Sequence, residues 1–472
     1  MPRSVKIFSV RCLSAVLVLC FLWAPLPGGK NKVTGETWNV FPFMTIEEIQ
    51  AVIDSASDGD TILFSSGEYD WTGAPLAERA ENKGAVNIID KSLIIKGEPG
   101  VVIRGPDSVD VSSQTPKGVN AFFVVDLDVN NDITFYRLHF DNFLRGIRTG
   151  FTSNWPVEPD ISVPNVRDIT ISGCSFMNIH RDAVSIADLG GNAVIKNNRM
   201  IASRIGVFAS WYWVEGHNRP QPEDKSIHFS GNQVNVAGMA FYGDRTTNLI
   251  IKDNTIQAES TNTVGISVTG ARKGSIISGN TTNGCIYGIN LYGLWSSGME
   301  FPVENVLVEN NVLIGNSRHG LILAGSAVYD NTVRRNEVHM LPGSRYGIWL
   351  ESYGDLVSQN KVSGSGRNAF YMDSYYASEY GWVYCHDEIL QANNVNQFSP
   401  EPDPSLPNCH FFLDALTSDN IILGSGMGKN TYIDLGTNNR ITGGTPLAGG
   451  IGGLVGDAHQ DRAKDKKPAN KI

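Results

Sequence analysis

Two acidic residues occupy the same position in two similar short runs, residues 347–351 (GIWLE) and 369–373 (AFYMD). Glu351 and Asp373 end these runs and lie 22 residues apart, which places them on adjacent coils if the runs stack. Neighbouring strands lie about 4.8 Å apart. The carboxyl groups would then be about 5 Å apart, near the separation in retaining glycosidases. One pKa of such a pair rises, which supplies an acid and a base. The alternatives are a calcium site or two side chains pointing apart into solvent.

Basic residues stand just before the same runs. Arg318, Arg345 and Arg367 each precede a run, and His319 and Tyr346 follow two of these arginines. An arginine fork can bind the carboxylate of a uronic acid. That contact acidifies the C5 proton, which His319 or Tyr346 could then remove. The pattern therefore predicts uronate elimination or epimerisation. The alternative is a turn ladder in which the arginines bond nearby carbonyl groups.

Aromatic residues recur at positions that strand alternation predicts to face outward. Rings spaced along a groove stack on the apolar faces of sugars, and an exposed aromatic strip indicates a binding surface. The alternative is that the rings pack beneath insertions at 211–224, 295–303 and 375–408. The aromatic residues predicted to bind substrate are Trp349, Tyr371, Tyr292, Tyr242, Trp211 and Tyr353.

These residues must be positioned by a repeated unit, because short β-rich runs ending on asparagine recur through the chain. Asparagines 254, 280, 311, 336 and 360 are spaced by 26, 31, 25 and 24 residues. Periods in this range predict stacked repeats. No helical pattern separates the runs, so we expect an all-β solenoid of short parallel strands.

The repeats resemble a known family. Residues 49–54 (IQAVID), 59–62 (GDTI) and 67–69 (GEY), with the Asn-ended and Gly-Ile-x-Leu runs that follow, resemble the right-handed parallel β-helix proteins of the pectin-lyase-like superfamily. The resemblance covers about residues 44 to 440 and implies one single-stranded right-handed β-helix. It does not define the activity, because the fold hosts lyases, hydrolases, epimerases and non-catalytic proteins. The asparagines are expected to form a ladder of side-chain amides between coils.

A further candidate lies in residues 180–186 (HRDAVSI). This run resembles the Asp-bearing strand start of polygalacturonases, which implies that Asp182 is catalytic. Arg181 stands where that family has the other aspartate of the pair, and residues 203–206 (SRIG) lack its histidine. Asp182 stays a candidate catalytic residue, but the departures argue against pectin hydrolysis.

Four segments are predicted. Residues 1–28 have the positive start and short apolar core of a secretory signal, with an uncleaved anchor as the alternative. Residues 29–43 are a linker, 44–440 the β-helix domain, and 441–472 a Gly-rich, then charged, disordered tail. A helix is expected from Met44 to Ser55, because its apolar residues have helical spacing and Thr45 with Glu48 forms a capping box. This helix would cap the open end of the solenoid.

Charge and cysteine content limit the partners. The formal net charge is −10, which argues against nucleic acid. Cys385 and Cys409 flank a Pro-rich insertion, so a disulfide between them and two buried thiols are both open. The cysteine spacing gives no zinc pattern and no metal site is assigned. We expect no required cofactor, with calcium as the one alternative.

The sequence thus predicts a secreted or periplasmic monomer that acts on or binds an extracellular acidic polysaccharide and keeps no membrane span after signal cleavage. Lyase, epimerase or glycosidase chemistry is the enzymatic hypothesis. The alternative is a non-catalytic cell-surface, adhesion or periplasmic accessory β-helix that binds glycan without cleaving it.

Overall fold

Three long parallel β-sheets wind along the chain. The computed structural model describes residues 35–71, 85–105, 123–126, 132–149, 168–187, 191–202, 204–210, 225–246, 248–272, 274–296, 299–377, 381–401, 409–423, 431–443 and 445–447. Each strand pairs in parallel with the equivalent strand one coil earlier and one coil later. This arrangement is a single-stranded right-handed parallel β-helix, as the repeats predict.

Sheet 1 and sheet 2 form two faces of the solenoid. Sheet 1 contains β1 (Thr37–Val40), β2 (Thr61–Phe64), β5 (Leu93–Gly97), β8 (Asp132–Tyr136), β11 (Asp168–Ser172), β14 (Ala193–Lys196), β17 (Ser226–Ser230), β20 (Asn248–Lys252), β23 (Ile276–Ser278), β28 (Leu307–Glu309), β32 (Thr332–Arg334), β35 (Leu356–Ser358), β40 (Ile389–Gln391), β43 (Ile421–Leu423) and β45 (Arg440–Ile441). Sheet 2 contains β3 (Gly67–Asp70), β6 (Val101–Arg104), β9 (His139–Asp141), β12 (Ser175–Ile179), β15 (Arg199–Ala202), β18 (Gln233–Val236), β21 (Thr255–Ala258), β24 (Thr281–Asn283), β29 (Val312–Asn316), β33 (Glu337–Met340), β36 (Lys361–Gly366) and β41 (Asn394–Pro400).

Sheet 3 carries all the strands that begin with the candidate residues. It contains β4 (Val86–Ile89), β7 (Phe123–Asp126), β10 (Arg145–Thr149), β13 (Asp182–Ala187), β16 (Ile205–Ser210), β19 (Met239–Asp244), β22 (Val264–Thr269), β25 (Tyr287–Ser296), β30 (His319–Gly325), β34 (Tyr346–Leu350), β37 (Asn368–Met372), β42 (Phe411–Leu413), β44 (Thr431–Asp434) and β46 (Thr445–Pro446). Short pairs beside the main sheets join β26 (Met299–Phe301) to β25, β27 (Val303–Glu304) to β31 (Val328–Tyr329), and β38 (Tyr375–Ala377) to β39 (Gly381–Val383).

A ten-residue α-helix precedes the first full coil. Helix α1 (Ile46–Ser55) buries Ile46, Ile49 and Ile53 and packs against β4 and β1. The Glu48 backbone N–H donates to Thr45 Oγ1 at 3.2 Å, and the Thr45 backbone N–H donates to Glu48 Oε2 at 2.8 Å. The predicted helix and its capping box are confirmed.

The interior is a continuous apolar column, because inward residues of successive coils stack on one another. Phe370 and Phe411, for example, are parallel with their ring centroids 4.9 Å apart. The strands of sheet 3 have a small residue near their start. At Gly320, for example, a Cβ would overlap the Val338 side chain. The same position holds glycine or alanine on nine successive coils: 146, 183, 206, 240, 265, 288, 320, 347 and 369.

This small-residue position corrects one predicted register. Counting each run from its leading Gly or Ala predicts that Gly238 leads this coil, with Met239 in the position of Val207. In the structure Phe241 pairs with Val207 and Tyr242 with Phe208, so the coil is shifted by two residues. Ala240, which is fully buried, is the small residue of this coil. A shift of two keeps Phe241 and Tyr242 on their predicted faces. Ala240, predicted to face outward, is instead buried, and Met239, predicted to face inward, is half-buried.

The segment boundaries also differ in detail. Strand β1 lies within residues 29–43, which the sequence analysis assigned to a linker, and the last described strand is β46. The predicted signal segment, the insertion 211–224 and most of the tail lie outside the described residues. No helix in the described part of the chain has the length and apolar character needed to cross a membrane.

The predicted asparagine ladder is present at the corner between sheets 1 and 2. The Asn280 backbone N–H and Nδ2 both donate to Asn311 Oδ1, at 3.0 and 2.9 Å, and Nδ2 also donates to the Ile251 carbonyl at 2.9 Å. The residue before each ladder asparagine has positive φ, as at Asp253 (56°) and Gln359 (57°). The sharp turn therefore leaves backbone groups that the amide satisfies. The ladder residues are Asn198, Asn232, Asn254, Asn280, Asn311, Asn336, Asn360 and Asn393.

A second ladder runs along the corner that leads into sheet 1, and two acids replace amides in it. The Asn331 backbone N–H and Nδ2 donate to Asp355 Oδ1 at 2.7 and 3.1 Å, and the Glu388 backbone N–H donates to Asn420 Oδ1 at 3.0 Å. Asp355 and Glu388 are fully buried on adjacent coils. Burial raises the pKa of Asp355 to about 7 and, with the Asp355 charge, raises that of Glu388 well above its ordinary value.

The first ladder can be tested at Asn311. Asn311→Ala removes an acceptor of two hydrogen bonds and leaves the Ile277 carbonyl and the Asn280 N–H unsatisfied inside the solenoid. We expect a loss of about 2–4 kcal/mol in the free energy of unfolding, read from urea denaturation midpoints. Asn262→Ala, in an exposed turn, is the matched control and should change it by less than about 0.5 kcal/mol. Equal midpoints for the two variants would contradict the role of the ladder.

The acid pair predicts an unusual pH dependence. A carboxyl whose pKa is raised by folding binds more protons in the folded state, so stability is lost as pH rises from about 4 towards the folded pKa of about 7 for Asp355. Asp355→Asn keeps the acceptor and cannot ionise. We expect its thermal midpoint to exceed that of the parent by a margin that grows from pH 4.5 to pH 8, whereas a margin independent of pH would exclude this ionisation.

Candidate functional site

Two rows of side chains run across strands β25, β30, β34 and β37 of sheet 3. The strand register pairs Tyr287 with His319, His319 with Tyr346, and Tyr346 with Asn368. A second row pairs Ile322 with Trp349 and Trp349 with Tyr371. Trp349 and Tyr371 therefore lie side by side on adjacent strands.

The first row is a stack of rings with His319 at its centre. The His319 ring centroid lies 5.4 Å from that of Tyr287, 5.1 Å from Tyr346 and 5.0 Å from Trp349. Tyr346 stacks in turn on Tyr371, with parallel rings 4.0 Å apart. The structure thus brings four of the predicted site residues into one aromatic cluster. Because aromatic contacts hold each ring on both sides, the ring orientations are fixed.

Arginines line the turn directly before this row. Arg318, Arg345 and Arg367 lie at equivalent positions of successive coils, and the Arg345 backbone N–H donates to the Arg318 carbonyl at 2.8 Å. All three side chains are half-buried. Stacked coils place such positions about 4.8 Å apart, so three guanidinium groups border the aromatic cluster on one edge.

The electrostatics of this corner keep His319 neutral. The side chain is 2 % exposed. Burial, and then the charges of Arg318, Arg345 and Arg367, lower its pKa well below the ordinary 6.5. Among the described residues, Nδ1 has no hydrogen-bond partner. A neutral imidazole with a nitrogen unengaged by these residues has the protonation state that a general base needs.

Tyr346 has the opposite character. Burial, and then the charge of Asp373, raise the pKa of Tyr346 to about 12, while Arg367 and Arg345 act against this shift. The phenol is therefore protonated at neutral pH and can donate a proton. Neutral His319 beside protonated Tyr346 forms a pair of one base and one acid.

Glu351 and Asp373 lie on adjacent coils, as their spacing predicts. The Glu351 N–H donates to the Leu323 carbonyl at 2.8 Å, and the Asp373 N–H donates to the Leu350 carbonyl at 3.0 Å. Each side chain is only 1 % exposed. This burial contradicts the alternative of two side chains pointing apart into solvent. Strand alternation predicts the face of the sheet and not what covers that face.

The aromatic side chains at this end of sheet 3 are largely buried, so the prediction of an exposed aromatic groove is wrong here. Tyr371 is 2 % exposed and stacks on Phe412 with ring centroids 5.2 Å apart. Trp349 is half-buried, and its Nε1 finds no hydrogen-bond acceptor among the described residues. Together with Tyr346 these rings form a small apolar cluster separate from the solenoid core. The alternative of packed rings is the one that the structure favours here.

The other predicted substrate-binding aromatics lie elsewhere. Tyr242 is half-buried on β19 and contacts Phe208 with ring centroids 5.5 Å apart. Tyr292 lies on β25 in the row that leads to Glu351. Tyr353 is not on this row, because it stacks between Tyr329 and His386 at another corner, with centroids 5.0 and 5.1 Å apart. Trp211 lies outside the described residues.

Asp182 lies at the opposite end of sheet 3 and does not join the His319 cluster. Its Oδ2 accepts from Arg145 Nε at 2.8 Å and lies 3.7 Å from Arg181 Nε. Asp182 and Arg145 are 2 % and 6 % exposed. The sequence analysis did not single out Arg145, although its place at the start of a sheet 3 strand was the available signal.

The thiols and the acids offer no metal site in the described part of the chain. Cys385 and Cys409 are buried free thiols, so of the two alternatives left open by the sequence the structure has the thiols. Cys385 lies in the solenoid core and Cys409 in the outer aromatic cluster, on different sides of sheet 3. The described residues contain no group of three or more His, Cys, Asp and Glu side chains placed to hold a metal ion.

Comparison with known proteins gives a family match over part of the chain and several solved structures of low identity. Residues 221–384 match the family model described as periplasmic copper-binding protein (NosD), about a third of the chain. No curated protein matches the chain. The A-module of Azotobacter vinelandii mannuronan C-5 epimerase AlgE6 is 15% identical over 85% of this chain and 93% of that one, with a TM-score of 0.40. The AlgE4 A-module is 14% identical over 85% and 92%, with a TM-score of 0.35. A tailspike double mutant of E. coli bacteriophage HK620 is 14% identical over 84% and 67%, with a TM-score of 0.47.

The three stacked parallel sheets make the chain a right-handed parallel β-helix protein, the fold that its resemblance to the pectin-lyase-like superfamily implies. The NosD match spans the coils that carry His319, Tyr346 and Asp373.

The depressed pKa of His319 gives a prediction. The unfolded chain protonates this histidine near pH 6.5 and the folded chain does not, so its contribution destabilises the protein as pH falls below about 6.5. We expect His319→Gln to flatten the fall in urea midpoint between about pH 6.5 and 4.5. His339→Gln changes an exposed histidine and is the control. A His319→Gln curve parallel to that of the parent would show that His319 titrates normally.

Proposed function

We propose that this protein binds an exported acidic polysaccharide across sheet 3 and removes the C5 proton of a uronate unit at the corner of His319 and Tyr346. The observation that carries the proposal is the combination at one corner of three stacked arginines with a neutral histidine and a protonated tyrosine. Such a combination supplies an anion clamp, a base and an acid, which are the groups that uronate elimination or epimerisation requires.

The proposed step begins with the carboxylate. Arg345, with Arg318 or Arg367, would bind it through paired N–H donors. When the C5–H bond breaks, its electron pair moves into the carboxyl group, where the guanidinium charges stabilise it. His319 accepts the C5 proton through a ring nitrogen. The arginines beside the ring disfavour its charged form, so the proton is easily passed on.

Two outcomes share this first step. In elimination the C4–O bond breaks, the C4–C5 double bond forms, and Tyr346 protonates the departing oxygen. In epimerisation Tyr346 instead returns a proton to C5 from the opposite face. His319 and Tyr346 are 2 % and 6 % exposed, so the substrate has to displace the side chains that cover them. This cover excludes water, which keeps the base neutral.

Hydrolysis by Glu351 and Asp373 is supported less. A retaining glycosidase needs water at its carboxyl groups for the second step, whereas elimination and epimerisation consume none. Both side chains are 1 % exposed, as deeply buried as His319, which disfavours the reaction that needs water. The charge of Asp373 raises the pKa of Tyr346, which supports a role in keeping that phenol protonated.

Solvent exchange tests the proton transfer in both outcomes. The full chain is incubated in D2O with polymannuronate, polyguluronate and polygalacturonate, and deuterium at C5 is read by mass spectrometry. Absorbance at 235 nm reports the unsaturated ends that elimination leaves. We expect His319→Gln and Tyr346→Phe each to lower the rate by about a hundredfold or more.

Two further variants test the carboxylate clamp and whether the loss of rate is specific to this corner. Arg345→Gln should raise KM and lower kcat, because the clamp acts in binding and in the transition state. Tyr353→Phe, at another corner, should leave the rate unchanged. Turnover by His319→Gln equal to that of the parent would remove the base assignment.

A non-catalytic accessory role in the periplasm is the second candidate. The match of residues 221–384 to the periplasmic copper-binding family model supports it. Polysaccharide binding with neither deuterium uptake nor new ends would favour this role. Stoichiometric copper binding by the full chain, measured by calorimetry, would favour the copper-linked form of it.

A further inference from the structure

We infer that Arg145, Arg148 and Arg181 form a second anion-binding site on sheet 3, which takes a carboxylate of the same polysaccharide about five strands away from His319. This inference rests on the proposed function for the class of ligand. It extends that function by requiring a long substrate.

The charge of the cluster is unbalanced. Arg145 Nε at 2.8 Å and Arg181 Nε at 3.7 Å share one oxygen, Oδ2 of Asp182. Arg148 lies on the same strand as Arg145, and its charge neighbours include Arg145, Arg181 and Asp182. Arg204 adds a fourth positive charge beside Arg181. One carboxylate therefore faces four guanidinium groups within the described residues.

Burial makes this excess charge costly. Arg145 is 6 % exposed. Burial, followed by the charges of Arg145 and Arg181, lowers the pKa of Arg148 to about 10. Charged groups taken out of water need a counter-charge. The solvent-facing pair Arg334 and Arg335 on Glu309 is a contrast, because water solvates its excess charge.

Two buried polar atoms of the cluster have no hydrogen-bond partner among the described residues. Arg145 Nη1 is a buried donor without an acceptor, and Asp182 Oδ1 is a buried acceptor without a donor. A uronate carries both a carboxylate and hydroxyl groups, so one sugar unit can complement an arginine and a carboxylate. Arg181, whose side chain is 30% exposed, is the member that a ligand meets first.

Position links this cluster to the His319 corner. Asp182 pairs with Ile205, and the same row continues through Met239, Val264 and Tyr287 to His319. Five strand spacings of about 4.8 Å give about 24 Å between Asp182 and His319. The outward residues between the two ends, on β16 to β25, are Phe208, Tyr242, Ser267 and Asn290. The rings can stack on the apolar faces of sugar units, and the polar groups can hydrogen-bond to sugar hydroxyls.

The experiment compares oligouronates of graded length on the full chain by calorimetry. The double variant Arg148→Gln/Arg181→Gln is set against Arg334→Gln/Arg335→Gln, which removes two arginines from sheet 1. We expect the first double variant to lose about tenfold or more in affinity for long oligouronates and less than twofold for short ones. The dependence of its Kd on salt should also weaken. The control should match the parent, and a cooperative thermal transition in each variant establishes that both fold.

The outcomes distinguish the inference from the proposed function. Lost affinity for long chains without any deuterium exchange supports this site and contradicts the catalytic proposal. Unchanged affinity for long chains, or the same loss in the Arg334→Gln/Arg335→Gln control, overturns the second site. Binding of inorganic sulfate with no binding of long oligouronates overturns its assignment to a polysaccharide. His319→Gln should leave the length dependence intact.

Discussion

The structure depends on the parallel, in-register stacking of coils, in which each backbone group at a corner must find its partner on the next coil. The corners are the critical points, because a residue in the left-handed conformation turns the chain and interrupts the regular ladder of hydrogen bonds. The buried amides at Asn254, Asn280 and Asn311 restore these bonds. Every row of side chains on sheet 3 inherits its alignment from this stacking.

This alignment explains why the candidate catalytic residues lie together at one corner of the solenoid. A solenoid converts a distance of about 25 residues in sequence into a single strand spacing. Arginines that are far apart in the chain thereby become neighbours, and the row of Tyr287, His319 and Tyr346 becomes a stack of rings. The positive charges of these arginines then lower the pKa of His319. Burial alone would depress the basicity of the imidazole, and the adjacent guanidinium groups add to that effect.

The fold could be predicted from sequence to a large degree, since its signals are local and repeated. Asparagines at regular spacing and a capping box at Thr45 defined the ladder and the first helix. The register failed only where Gly238 resembled a leading glycine, because the steric demand at that position accepts Ala240 equally well. Burial of Glu351 and Asp373 could not be predicted, because no periodicity encodes what lies over a sheet. The acids Asp355 and Glu388 were missed for a related reason: next to turn residues they resemble ordinary polar corner residues.

The column of glycine and alanine at the start of the sheet 3 strands has a mechanical consequence. At Gly347 a methyl group would meet the Val362 side chain and the Ala369 carbonyl, so a larger residue would push one whole coil outwards. The adjoining coils are bonded to it and would be dragged along, which bends the line on which the arginines and rings stand. The straightness of the proposed polymer-binding surface is thus set by buried positions that carry almost no side chain.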